Sequence, residues 1–491
     1  MRDIRRILAS SLLALAISGV PALSAPALVP SLSAPGSGVP ESGASAQQTD
    51  PLTPQQNPLD PQPDQAPGQS QPITSQSSKH KKKRDKKKKQ QAQDRGLLLA
   101  GHSIPVAPLG FAAPAAHYLT QQITEASLDF LDSDHLLFTF RVPGLIARPV
   151  SGDAPPPYVR QIRAVVLQIS TGQTVAEDLW TLHDTDRYVW ALNDGRFLLR
   201  DGNLLRIGDA SLRMRPYLRF PGPVEMIETD PLDHYLVADT EEPSSQQAVK
   251  RPSLLSSTGS VSEPPPLDHL IRILNIATRR VMLISHTNGP IHLPISENGF
   301  YQLQRGDGLN WIVSYDDLAG HSDIYWRIDS VCLPPLDPVA PGFLLATPCG
   351  DDGSRAIVML SRDTKSVLWH KLEPATSVWP VLSFASDGLR FARTTLELSE
   401  PIAAGNPIDP SEIRSQKVEV YNTADGVLEF VVDADPILDA GGNVALSPGG
   451  RRIAVLRQGA IQIFDLPPAT PLPSQPQKPA QQPQTGTATT H

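Results

Sequence analysis

Ser383-Phe384-Ala385-Ser386-Asp387-Gly388-Leu389-Arg390-Phe391-Ala392 and, further on, Ala445-Leu446-Ser447-Pro448-Gly449-Gly450-Arg451-Arg452-Ile453-Ala454 are two copies of one pattern. Each is a short apolar run, a polar turn containing glycine, and a second apolar run. Asp-Gly and Gly-Gly supply the positive φ that a tight turn between antiparallel strands requires. Looser copies are Ala191–Leu198, Glu228–Leu236, Pro294–Phe300 and Leu131–Leu137. A second unit, strand–polar turn–strand, follows at a distance, with instances at Leu167–Val175, Leu274–Val281, Met359–Trp369 and Val420–Leu428. In Lys417-Val418-Glu419-Val420-Tyr421 the two valines share one face, the period of two of a half-buried strand.

The two units alternate and so give four strands per cycle. Cycles fall near residues 128–180, 186–220, 224–287, 291–328, 329–373, 378–433 and 437–467. Four-stranded cycles repeated around an axis are the blades of a propeller. The fold predicted is therefore all-β, a single seven-bladed β-propeller over residues 103–467. The last cycle has room for three strands only. A strand from the other end, Ser103–Phe111 or His117–Ile123, would complete it, because an unclosed ring leaves open edges. The competing arrangement is a β-sandwich with a smaller β domain.

Ser447–Ala454 followed by Ala460-Ile461-Gln462-Ile463-Phe464-Asp465 resembles a WD40-like repeat of the TolB type, and Asp316–Tyr325 resembles its next hairpin. The Trp-Asp dipeptide of true WD40 repeats is missing. The resemblance implies a propeller whose relatives mostly bind proteins or peptides, and it carries no catalytic residue over.

The chain ends have another character. Arg2, Arg5 and Arg6 precede an apolar stretch from Ile7 to Ile17 and small-residue cleavage sites near Ala22–Ala27. This pattern is that of a signal peptide over 1–27, too short to span a bilayer. Residues 28–95 and 468–491, rich in Pro, Gln and Ser, hold too little apolar surface to offset chain entropy and are expected to be disordered. The expected location is export, periplasmic or extracellular. Cys332 and Cys349 are an even pair, which in an exported chain favours a disulfide.

Charge is distributed unevenly. Lys79, Lys81, Lys82, Lys83, Arg84, Lys86, Lys87, Lys88 and Lys89 face a single acid, Asp85, for a local charge of +8. The whole chain carries −8, so the remainder carries −16. A basic tail on an acidic body is not the footprint of a nucleic-acid-binding domain. The run is a candidate for binding an anionic membrane or envelope polymer; the competing reading is a solvated, self-repelling spacer.

No motif reaches an enzyme assignment, and no cofactor is implied. Gly101-His102-Ser103 and Gly320-His321-Ser322 lack the closing glycine of a nucleophile elbow. His183–Asp186 and Asp132–His135 lack the spacing of calcium or zinc sites. Gly306-Asp307-Gly308 reads as a hairpin turn, and the six tryptophans as blade-packing core. The function expected is an exported interaction module for a protein or peptide. The alternative is a carbohydrate-binding or hydrolytic propeller that uses an axial pocket.

Overall fold

A computed structural model describes residues 100–115, 119, 123–143, 159–183, 186–243, 267–287, 291–351, 353–402, 407–439 and 441–472. The signal peptide, linker and lysine run expected from the sequence lie outside the described residues, as does the tail beyond residue 472.

The chain forms seven four-stranded antiparallel sheets. A first strand, β1 (His102–Pro105), stands apart. Blade 1 is β2 (Ala126–Phe130), β3 (His135–Arg141), β4 (Arg160–Gln168) and β5 (Gln173–Leu182); blade 2 is β6 (Val189–Ala191), β7 (Arg196–Asp201), β8 (Leu204–Asp209) and β9 (Arg215–Arg219). Blade 3 is β10 (Val224–Thr229), β11 (Tyr235–Pro243), β12 (Leu267–Asn275) and β13 (Val281–Thr287); blade 4 is β14 (Ile295–Ser296), β15 (Gly299–Arg305), β16 (Asn310–Asp317) and β17 (Ser322–Asp329). Blade 5 is β18 (Leu336–Ala340), β19 (Phe343–Ala346), β20 (Arg355–Ser361) and β21 (Ser366–Glu373); blade 6 is β22 (Ser377–Phe384), β23 (Arg390–Leu398), β24 (Ile413–Asn422) and β25 (Leu428–Ala434). Blade 7 contributes β26 (Val444–Leu446), β27 (Arg452–Arg457) and β28 (Ala460–Asp465), and its fourth strand is β1. His102 lies opposite Ile463 and Pro105 opposite Ala460. The closing strand is thus the Ser103 candidate of the two.

Burial peaks in the second strands and falls toward the outer edge. Second strands are buried on both faces, as in β3, whereas fourth strands such as β5 and β13 are mostly exposed. Each junction between successive blades holds its own apolar cluster. Leu131, Ile162 and Phe197 fill the junction of blades 1 and 2, and Val418, Phe430, Ile453 and Phe464 that of blades 6 and 7. At the seam, Leu128 and Phe138 of blade 1 meet Ala454, Ile461 and Ile463 of blade 7 around Ile104 of β1. A buried aliphatic or aromatic side chain contributes about 1.5–3 kcal/mol, so the seam is held like any other junction.

The repeat has a signature that the sequence patterns did not reveal. In the six blades whose fourth strand follows in sequence, pairing with the third strand skips one residue: Val175, Tyr217, Met282, Tyr325, Leu368 and Glu429. Such a bulge bends the outer strand and increases its twist. β1, which comes from the far end of the chain, pairs with β28 without a skip.

The turns read from the sequence also tie blades together. Gly388 has φ +67°, and a Cβ there would overlap Ala340 of blade 5. Asp387 accepts a hydrogen bond from Leu389 N (3.0 Å), and its own N–H donates to Pro448 O of blade 7 (3.2 Å).

Candidate functional site

In a four-stranded meander, links between strands 1 and 2 and between 3 and 4 open on one face. Links between 2 and 3, and from each blade to the next, open on the other. On the first face every link is two to five residues long. On the second the links lengthen: 142–159 in blade 1, 244–266 in blade 3, 347–354 in blade 5 and 399–412 in blade 6. Long connections add surface without disturbing the sheets, and functional surfaces concentrate on them. This insertion face is the candidate site.

Its floor in blade 3 is acidic. Asp239 in β11 is fully buried; its Oδ2 accepts from Ile291 N (3.3 Å), while its Oδ1 makes no hydrogen bond. His269, in β12, lies directly across from Glu241. Its Nδ1 is 3.6 Å from Asp239 Oδ1 and its Nε2 is 3.5 Å from Glu241. Both distances exceed hydrogen-bond length, so the histidine sits loosely between two carboxylates. Burial, and next the charge of Glu241, pushes the Glu225 carboxyl above its ordinary range; burial does the same to Asp239.

Toward the axis, His292 bridges three blades. Its Nδ1 contacts Glu228 of β10 and its Nε2 donates to Leu336 O of β18 (2.8 Å). Burial disfavours its charge, but the bond to Glu228 outweighs this and holds the imidazole up to about 9. Burial pushes the neighbouring Asp337 up to about 6 despite the His292 charge. On the far side of the ring Asp129 is likewise pushed up to about 6 by burial, against Arg187 at 3.9 Å.

Blades 4 and 5 give this face an apolar knob. Leu309, Val331 and Leu333 are 50%, 38% and 62% exposed. Cys332 and Cys349 form a disulfide, as the sequence predicts. Around it Val331 N donates to Cys349 O (3.0 Å), Cys349 N to Ser330 Oγ (2.9 Å) and Ser330 N to Leu309 O (2.9 Å). Trp311 Nε1 donates to Ser330 O (3.0 Å), and Arg305 lies over the Trp311 ring. The knob is therefore held from both blades.

The remaining sequence candidates are turns and core. Asp132 accepts from the backbone N–H of Asp134 and His135 and contacts the His135 ring, and Asp317 does the same for Ala319 and His321. His183 pairs with Asp201 at 2.9 Å. Trp180, Trp190 and Trp326 are buried in three different blade junctions. Trp369 stacks on Phe391 and donates to Thr423 O. No three His, Cys, Asp or Glu side chains among the described residues are placed to hold a metal. A depression of about 340 Å³ between Val142, Arg163 and Leu179 lies on the outer flank of blade 1, remote from the axis. The lysine-run candidates, Lys79 to Lys89, lie outside the described residues. The blade 3 acids and the knob escaped the sequence reading because they converge from separate links and blades.

No protein-family model and no curated protein sequence matches the chain. Among solved structures it is similar to hydrazine synthase of Kuenenia stuttgartiensis, at 12% identity over 57% of this chain and 76% of that one, with a TM-score of 0.35. A chain of a mitotic checkpoint complex matches at 12% identity over 82% and 96%, with a TM-score of 0.37. Uncomplexed acylaminoacyl peptidase of Pyrococcus horikoshii matches at 8% identity, covering 71% of this chain and 52% of the peptidase, with a TM-score of 0.40. The chain thus spans about half the length of that peptidase, and no activity carries over from any of the three.

Proposed function

We propose that this protein is an exported interaction propeller that docks a protein or peptide on its insertion face. The observation that carries the reading is the asymmetry of the links: short turns on one face, every long connection on the other. The repeats are read as TolB-like or WD40-like on the strength of Ser447–Ala454 and Asp316–Tyr325. Export is supported by the N-terminal pattern and by the disulfide.

The test places a photo-crosslinking amino acid at Leu309 on the insertion face or at Gln173 on the other, in cells of the source organism. The expected result is a discrete adduct from Leu309 and none from Gln173. Adducts from Gln173 alone, or from neither position, overturn the reading.

The lysine run is assigned to anionic surfaces, supported by nine cationic side chains within residues 79–89. Vesicles containing phosphatidylglycerol should retain the full chain and lose it when 79–89 is removed, with retention falling as salt rises. Equal retention of both forms assigns the run to a spacer.

A further inference from the structure

The outer rims of blades 2 and 3 differ in charge from the rest of the ring. Of the fourth strands that follow in sequence, β5, β17, β21 and β25 each carry acids, among them Glu177, Asp323, Glu373 and Asp433, whereas the adjacent β9 and β13 carry none. Six arginines gather there: Arg206 on β8, Arg213 just before β9, Arg215 and Arg219 on it, and Arg279 and Arg280 at the turn into β13. All but Arg206 are exposed, and none of the six forms an ion pair among the described residues. Asp209, the acid between Arg206 and Arg213, accepts from Ser211 N (2.9 Å) and Ser211 Oγ (2.5 Å). On a body that carries −16 outside residues 79–89, this is a cationic island.

Beside the arginines the rim is apolar. Val281, Met282 and Ile284 of β13 are 41%, 43% and 52% exposed. Ile284 lies opposite Arg272, which reaches over the Phe220 ring of the link from blade 2, so Ile284 faces blade 2. Arg215 lies opposite Ile207, which is buried in the junction of blades 2 and 3, so Arg215 faces blade 3. Tyr217 joins the two rims: its hydroxyl donates to Ile276 O, and Arg279 lies over its ring, 5.6 Å from the centroid. Cations and aliphatic side chains thus share one strip of the rim.

We propose that this strip rests on an anionic lipid bilayer, with the arginines on headgroup phosphates and Val281, Met282 and Ile284 at the boundary between headgroups and acyl chains. Guanidinium groups pair with phosphate oxygens through two parallel hydrogen bonds. A soluble polyanion would satisfy the arginines and leave the aliphatic groups in water; a bilayer takes up both. Contact along the rim leaves the insertion face open to a protein partner. It is independent of the contact assigned to residues 79–89.

The test labels Met282→Cys in the full chain with an environment-sensitive fluorophore; Val367→Cys on the rim of blade 5, where Val367 is 54% exposed, is the reference. On vesicles of phosphatidylcholine and phosphatidylglycerol in equal parts, emission from the label at 282 should move to the blue and that from the label at 367 should not. In the chain lacking residues 79–89, Arg215→Gln with Arg279→Asn should weaken vesicle binding about tenfold or more, and so should Ile284→Asp. Arg414→Gln on blade 6 should change it little. Melting temperatures check that each variant folds. A shift at 282 that persists without residues 79–89 supports the rim contact whether or not the lysine run binds. Binding that vanishes with those residues, and no shift at 282, leaves the lysine run as the membrane contact and overturns the rim. Equal shifts at both positions, or equal binding to pure phosphatidylcholine, also overturn the proposal. So does a dimer that Ile284→Asp dissociates, which assigns β13 to a second copy of the chain.

Discussion

The carboxylate of Glu429, the skipped residue of the bulge in β25, meets the guanidinium of Arg390 at the start of β23. Arg390 is 1% exposed, and its other nitrogens donate to Gly450 O of blade 7 (2.6 Å) and to Pro467 O just past β28. One buried side chain thus ties blade 6 to blade 7 and to the chain leaving the ring. The bulge aims the acid that neutralises it.

Arg390→Met should therefore lower stability by about 3–5 kcal/mol, because Glu429 is left buried without its partner. Adding Glu429→Leu should recover part of the loss. Chemical denaturation of the three proteins checks this; an additive double variant would show that the two groups are not coupled.

Past Pro467 the chain continues along blade 6. Asn422 donates to Thr470 O (3.5 Å), and Leu472 packs on the junction of blades 5 and 6. Truncation after residue 472 should leave the melting temperature unchanged. Truncation after Asp465 should lower it by several degrees, since it removes the Pro467 acceptor and the Leu472 contact.

Most of the ring is legible in the sequence. The Asp387-Gly388 and Gly449-Gly450 turns fix two blades, their four looser relatives mark blades 1 to 4, and the Met359–Trp369 unit marks blade 5. Backbone chemistry at those turns is local, so a short window contains it. The skipped residues leave no such mark, because Val175, Tyr217, Met282, Tyr325, Leu368 and Glu429 range from aliphatic through aromatic to acidic. The site is less legible for a different reason: His292, Glu228 and Leu336 come from separate links and blades and are neighbours only after the ring closes.

The pH dependence of stability follows from the raised carboxyls. Burial, then repulsion from Asp230 and Asp194, pushes Asp233 from 3.8 up to about 7, although Asn193 N donates to it. Between about pH 4 and 7 the folded chain holds this proton more tightly than the unfolded chain does. The contribution of Asp233 is thus present at low pH and lost as pH rises through that window. Asp233→Asn keeps an acceptor and tolerates the observed φ of +55°. The variant should melt higher than the parent at pH 8 and show a much smaller advantage at pH 4. An equal gain at both pH values would remove the titration from the explanation.

Cys332 and Cys349, seventeen residues apart, close a loop worth about 3 kcal/mol in the chain-entropy picture. The Cys332→Ser, Cys349→Ser double variant should lose about that much stability. It should also release Val331 and Leu333, so the adduct from Leu309 should weaken at a temperature where the ring is still folded. An unchanged adduct would mean that the hydrogen bonds to Ser330 suffice to hold the knob.

The account as a whole depends on closure of the ring by β1. Ser103 lies opposite Gln462, between pairs joined by backbone hydrogen bonds, where Cα atoms approach most closely. In Ser103→Cys, Gln462→Cys protein, oxidised and then denatured, thiol titration should find no free cysteine and intact mass should show two disulfides. Two free thiols per chain, with the Cys332–Cys349 bond intact, would contradict the closure.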